Sequence, residues 1–157
     1  MSLAVLLGAA VVGTGSWAQE AHTAEAAECT LNKHAYTCNW TAFKAALANA
    51  HTVAVRTGRT DKSAGFHLGK LVTSMGKTVA ASEAESDLTF AVLQAPLEGV
   101  NIGPADVDLG ELRVFRSAGQ GQPEKLIWVE TMRGQPDKPW GSTVRALIDQ
   151  FQARLAK

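Results

Sequence analysis

The sequence is short of the residues that usually make chemistry conspicuous. Two cysteines, one tyrosine and four histidines stand among 157 residues, and 15 basic side chains are matched by 15 acidic ones. Without net charge there is no field to draw in nucleic acid or an anionic lipid surface, so neither is expected as a partner. No apolar run reaches the roughly 18 residues of a membrane-spanning helix, so no transmembrane segment is expected once a leader is removed. His22, His34, His51 and His67 show neither H-x-x-x-H nor H-E-x-x-H spacing, which would set two metal ligands on one helix face. No serine sits in a G-x-S-x-G elbow, and Gly69-Lys70 and Gly76-Lys77 lack the first glycine and spacer of a phosphate loop. Asp106-Val-Asp108 could offer two oxygens to calcium, but the terminal Glu of an EF-type loop is missing. No catalytic residue, cofactor or metal is assigned, and a non-enzymatic role is expected.

What is present speaks first of compartment. Leu3 to Gly13 is an unbroken run of apolar and small residues, the length of a signal-peptide apolar region. Ser16-Trp17-Ala18 follows with small residues where a signal peptidase reads, so residues 1–18 are expected to be a leader. Met1-Ser2 supplies no Lys or Arg, which departs from the usual charged start. The polar, Ala-rich stretch 19–28 reads as a flexible lead-in. A lipid-attachment cysteine would directly follow the apolar run; Cys29 lies well beyond it, so the mature chain is expected to be periplasmic or secreted and not lipid-anchored.

Cys29 and Cys38 are an even pair in a chain that reads as exported, which argues for a disulfide. The C-x-x-C spacing of redox motifs is absent, and a zinc site would need His34 and a distant fourth ligand. A stapled hairpin or loop, with Asn32 near its turn, is expected to open the domain that spans 29–157.

Periodicity supplies the elements. Thr41 reads as the N-cap of a short helix with Phe43, Ala46, Leu47 and Ala50 on one face. Val53 and Val55 alternate in a strand at 51–56. Phe66, Leu68, Leu71, Val72 and Met75 fall near helical spacing before Gly76, a C-cap glycine. Short strands are expected near 78–81 and 88–93, joined by a solvated acidic turn at 83–87. Residues 95–110 form the longest irregular segment. Strong strands follow at 111–116 and 125–132; in the second, Leu126, Trp128 and Glu130 alternate with Ile127, Val129 and Thr131. A last helix from about 140 to 155 carries the stripe Val144, Leu147, Ile148, Phe151 and Leu155. The order α-β-α-β-β-β-β-α predicts an α+β (or α/β) two-layer sandwich. Its mixed sheet would have four or five strands, with two or three helices mostly on one face.

Charge is unevenly laid out. From His51 to Thr78, five bases (Arg56, Arg59, Lys62, Lys70, Lys77) face one acid, Asp61; from Val79 to Glu111 there are seven acids and no base. Such segregation either guides a partner or a second copy, or cancels where the two segments meet. Arg56 and Arg59 on the basic side, Asp106 and Asp108 on the acidic side, and Trp140 at a loop–helix junction are the candidate ligand or partner surface. The expected role is an exported module that binds a protein partner in the cell envelope. The alternatives are a small-ligand site or enzyme built on the 95–110 loop, and a self-associating structural protein.

About two-thirds of the chain, from Ala50 onward, resembles a group of small bacterial envelope proteins, many of them lipoproteins, that form a domain of unknown function. The resemblance lies in the strand Thr52–Arg56, the helix ending in Met75-Gly76-Lys77, the step Glu85-Ser-Asp87-Leu-Thr-Phe90, and the strands at 110–116 and Leu126-Ile-Trp-Val129. The layout is also similar to the amino-terminal domain of the periplasmic TolB proteins. The resemblance implies an α+β fold and an envelope location; it implies no activity.

Overall fold

The computed structural model describes residues 28–33, 35–58, 62–95, 109–117, 123–134 and 138–157. The expected leader at 1–18 and nearly all of the lead-in at 19–28 lie outside the described residues. The chain enters through a hairpin of β1 (Thr30–Asn32) and β2 (Ala35–Thr37), followed by α1 (Trp40–Asn49) and β3 (Thr52–Arg56). Next come α2 (Lys62–Ser74), β4 (Thr78–Val79), a 3-10 turn at Glu83–Glu85, and β5 (Leu88–Ala95). Strands β6 (Leu109–Arg116) and β7 (Lys125–Arg133) precede the last helix, α3 (Trp140–Leu155).

Five strands form one mixed sheet in the order β4-β3-β5-β6-β7. Strand β3 runs parallel to both β4 and β5, whereas β5, β6 and β7 are antiparallel. The parallel pairing of β3 with β4 requires a crossover, and α2 supplies it by carrying the chain from one strand to the other. The α+β sandwich anticipated from the pattern is the observed architecture, with five strands and three helices.

The helices meet one face of the sheet because their apolar stripes have a single place to go. Phe43 and Leu47 of α1, Leu68, Leu71 and Val72 of α2, and Val144, Leu147 and Phe151 of α3 are buried in one cluster. The sheet answers with period-two residues: Val53 pairs with Leu88, and Phe90, Val114 and Trp128 align across β5, β6 and β7. The aromatic centre is dense. Phe43 stacks on Trp128 at 5.2 Å between centroids and meets Phe151 at 5.9 Å, a spacing at which rings attract beyond simple burial. At Gly110 the sheet lets α3 come close, since a Cβ there would lie 3.1 Å from Thr143 Cγ2.

Three local expectations are corrected. The cap of α1 is Asn39, not Thr41: Asn39 is extended (φ −86°, ψ 106°) and its Oδ1 accepts from the Ala42 amide at 3.0 Å. Strand β4 stops at Val79, short of Ala81, because it is the outermost strand, bonded to β3 alone before the chain turns away. In β7 the alternation breaks. Val114 pairs with Trp128 and Phe115 with Leu126, leaving Ile127 as an extra residue. That bulge lets Ile127 and Trp128, neighbours in sequence, both be buried.

The expected disulfide joins Cys29 to Cys38 across the base of the β1–β2 hairpin. Under the chain-entropy model a loop this short contributes about 2–3 kcal/mol. Lys33 takes the left-handed turn position at φ 58°. The hairpin is anchored to the sheet by the Cys29 amide, which donates to Leu126 O at 2.8 Å, and by Arg113 lying 5.4 Å from the Tyr36 ring. Among the described residues no helix is long and apolar enough to cross a membrane.

Candidate functional site

The surface with most to offer a partner is made by the outer sides of α2 and α3. On α2 the buried residues Ala64, Leu68, Leu71 and Val72 complete a helical stripe. Phe66 stands two residues from Ala64, roughly 200° round the helix, and is 60% exposed. Phe66 therefore lies off the buried stripe, although it falls near helical spacing with Leu68, Leu71, Val72 and Met75 in the sequence. Its ring is flanked by Lys70 Nζ, 4.5 Å from the centroid, and by the edge of His67 at 5.7 Å. A cation at that distance over an aromatic face is attracted to the ring while both remain wet.

Where α2 runs beside the start of α3, an open groove of about 450 Å³ separates them. Ser63 and His67 line one wall, and Gly141, Ser142, Arg145 and Asp149 the other. The inward stripe of α3 consumes Val144, Leu147, Ile148 and Phe151, which leaves Arg145 and Asp149 on the outer side. Arg145 and Asp149 form no ion pair or side-chain hydrogen bond with any described residue. Helix α3 begins behind Pro139 with no side-chain cap and no acid in its first turn.

The site residues expected from sequence are not gathered there. Arg56, at the end of β3, is held within the molecule. Its Nε donates to Glu83 Oε1 at 2.7 Å, and its Nη1 and Nη2 donate to Glu124 at 3.1 and 2.7 Å. Its guanidinium also lies 5.2 Å from the Phe115 ring. Hydrogen bonding to Glu83, then to Glu124, raises the Arg56 pKa, and the same contact with Arg56 lowers that of Glu83. Arg59, Asp106 and Asp108 lie outside the described residues, as does 96–108, nearly all of the loop considered for a ligand site. His34 and His22 lie outside them too. Trp140 is the first residue of α3, half-buried and packed against the core beside the groove.

The basic and acidic segments therefore partly cancel where they meet. Arg56 takes Glu83, and the Lys77 ammonium is turned inward to the carbonyls of Ala50 and Ala48 at 2.6 and 3.3 Å. The acidic turn is exposed at Glu83, Glu85 and Asp87, as expected, yet Asp87 is also tied to the backbone of β3. Asp87 Oδ2 accepts from the Thr52 amide at 2.9 Å, the His51 amide at 2.7 Å and the Thr52 hydroxyl at 3.1 Å. These bonds, the Thr52 amide foremost, hold the Asp87 carboxyl below the usual carboxylate range. A depressed folded-state pKa contributes stability above the unfolded value of about 4 that is lost as pH falls through the folded pKa. Asp87→Asn is thus expected to lower the urea midpoint at neutral pH and to flatten its decline on acidification. An unchanged acid limb would mean that Asp87 plays no such part.

Among the described residues two carboxylates are buried, and both are occupied. Glu111 is ion-paired with Arg113 at 2.6 Å. Glu130, 3% exposed, receives Arg154 Nε at 2.9 Å, Arg154 Nη2 at 3.1 Å, Trp128 Nε1 at 3.3 Å and the Gln150 amide. Satisfied on every side, it brings α3 down on β7 and offers no free oxygen to a substrate. Among the described residues no three His, Cys, Asp or Glu side chains are grouped as a metal site requires.

No protein-family model matches the chain, and no curated protein matches it. Among solved structures it is similar to the PelC dodecamer from Paraburkholderia phytofirmans, at 16% identity and a TM-score of 0.39, over 63% of this chain and 83% of that one. A second PelC dodecamer structure from the same organism gives 13% identity and a TM-score of 0.41, over 67% and 85% of the two chains. A minor lipoprotein from Acinetobacter baumannii gives 11% identity and a TM-score of 0.34, over 67% and 91%.

Proposed function

We propose that this chain is a non-enzymatic exported module, periplasmic or secreted, that binds a protein partner of the bacterial envelope through the outer side of α2 and α3. The observation that carries the reading is Phe66, a large aromatic ring 60% exposed on a helix whose apolar stripe is complete without it. Aromatic side chains that leave water on binding are the commonest anchors of protein interfaces, and charged neighbours such as Lys70 raise association rates. Export is supported by the Leu3–Gly13 run with Ser16-Trp17-Ala18, and by the disulfide, which persists in oxidising compartments. A binding role in place of catalysis is supported by the engagement of Glu111 and Glu130 in internal ion pairs.

The test is a photo-crosslinking residue placed at position 66 in a chain directed to a bacterial periplasm, with the exposed Glu85 position as control. The expected result is one discrete adduct at 66 that is absent at 85 and is weakened by high salt. An adduct at twice the chain's own mass would shift the reading to self-association. Indiscriminate or absent adducts at 66 would overturn it.

A further inference from the structure

The groove beside Phe66 holds a cation and an anion that the fold leaves available. Arg145 and Asp149 stand one turn apart on α3, both exposed, and form no ion pair with each other. An acid placed one turn after a base is the weaker orientation for a helical pair, so little holds them together. Ser63 and Ser142 add hydroxyls to the same walls, and Gly141 adds no side chain to its own, where a Cβ would stand 3.8 Å from Ser63 Oγ. Beside the groove Lys70 Nζ lies 4.5 Å from the Phe66 ring, so among the described residues the surface formed by groove and ring carries the cations Arg145 and Lys70 against the acid Asp149. His67 links groove to ring, lining the one and lying edge-to-face with the other. A volume of about 450 Å³ suits a short peptide stretch or a small molecule.

We propose that the groove receives an acidic peptide segment of the partner, with a carboxylate against Arg145 and an adjoining apolar side chain on Phe66. This rests on the reading of the α2–α3 surface given above. The planar guanidinium fork matches a carboxylate through two parallel hydrogen bonds, which a lysine cannot reproduce. Asp149 gives the groove a direction, because a second acid set one turn further along α3 would be repelled.

The experiment is an amide NMR titration of the oxidised chain with three blocked hexapeptides, alternating Leu-Glu, Leu-Lys and Leu-Gln. The Leu-Glu peptide is expected to shift the amides of Gly141, Ser142 and Arg145. Arg145→Gln is expected to weaken it by roughly tenfold or more. Asp149→Asn is expected to leave its binding equal or tighter. Equal response to the Leu-Lys peptide, shifts confined to other surfaces, or none at millimolar peptide would each overturn the proposal. The crosslink at position 66 separates the two ideas. If it persists undiminished in Arg145→Gln, the partner surface stands and the acidic peptide falls; if it is absent even with Arg145 in place, both fall.

Discussion

Phe151→Ala is expected to cost about 3–5 kcal/mol of folding free energy, read as a lowered urea midpoint with little change in slope. Phe151 is fully buried in the C-terminal half of α3, its ring 5.9 Å from that of Phe43 and 6.0 Å from that of Phe90. It therefore joins α3 to α1 and to the central strand β5 at one point. Truncation removes transfer free energy and opens a cavity that rigid neighbours on three elements cannot close. The thermal midpoint should fall by roughly 10–20 °C for a domain of this size. Phe151→Leu, which keeps much of the volume, should cost markedly less. A loss below about 1 kcal/mol for the alanine variant would mean that α3 is not packed as described.

Arg154→Ala is expected to cost about 2–3 kcal/mol, more than any exposed ion pair contributes. Its partner explains the size. The Glu130 side chain is 2% exposed, while that of Arg154 is 49% exposed, so the variant leaves a carboxylate in the interior with only Gln150 and Trp128 to meet it. Arg154 also lies 5.9 and 5.7 Å from the rings of Trp40 and Trp128, and that cover is lost as well. Glu130→Gln removes the charge that needed neutralising. In that background Arg154→Ala should cost much less, and a double-mutant cycle measures the difference. Additive single costs would show that the two residues do not act as a pair.

Elements whose cause is local were legible in the residues. The stripe Val144, Leu147, Ile148, Phe151 defines α3 because helical spacing alone puts those residues on one side, and they are the ones buried. Gly76 was readable as the end of α2 because a left-handed residue is needed there, and its φ is 72°. Cys29 and Cys38 could be paired because there are no other cysteines. The α1 cap lies two residues before the one the sequence suggests because Asn39 and Thr41 are both good caps, and the extended backbone of Asn39 with its bond to the Ala42 amide distinguishes them. The candidate site was less legible. Phe66 shares near-helical spacing with the apolar residues around it, and only the burial of the small Ala64 with Leu68, Leu71 and Val72 shows which side of α2 faces the core.

Composition, period and cysteine count are properties of the chain itself, and they determined the α+β class, the helix and strand positions, the disulfide and the reading of an exported module. Tertiary structure decided what depends on residues far apart. Arg56 meets Glu83 and Glu124, 27 and 68 positions away, and so becomes an internal tie in place of a free cation. Ile127 and Trp128 share the core only because β6 imposes a bulge on β7. The groove exists only because α2 comes to lie beside α3, leaving Arg145 and Asp149 facing outward next to Phe66. No spacing rule within one element can announce a surface made from two, because the burial of each stripe against the sheet determines which side chains remain outside.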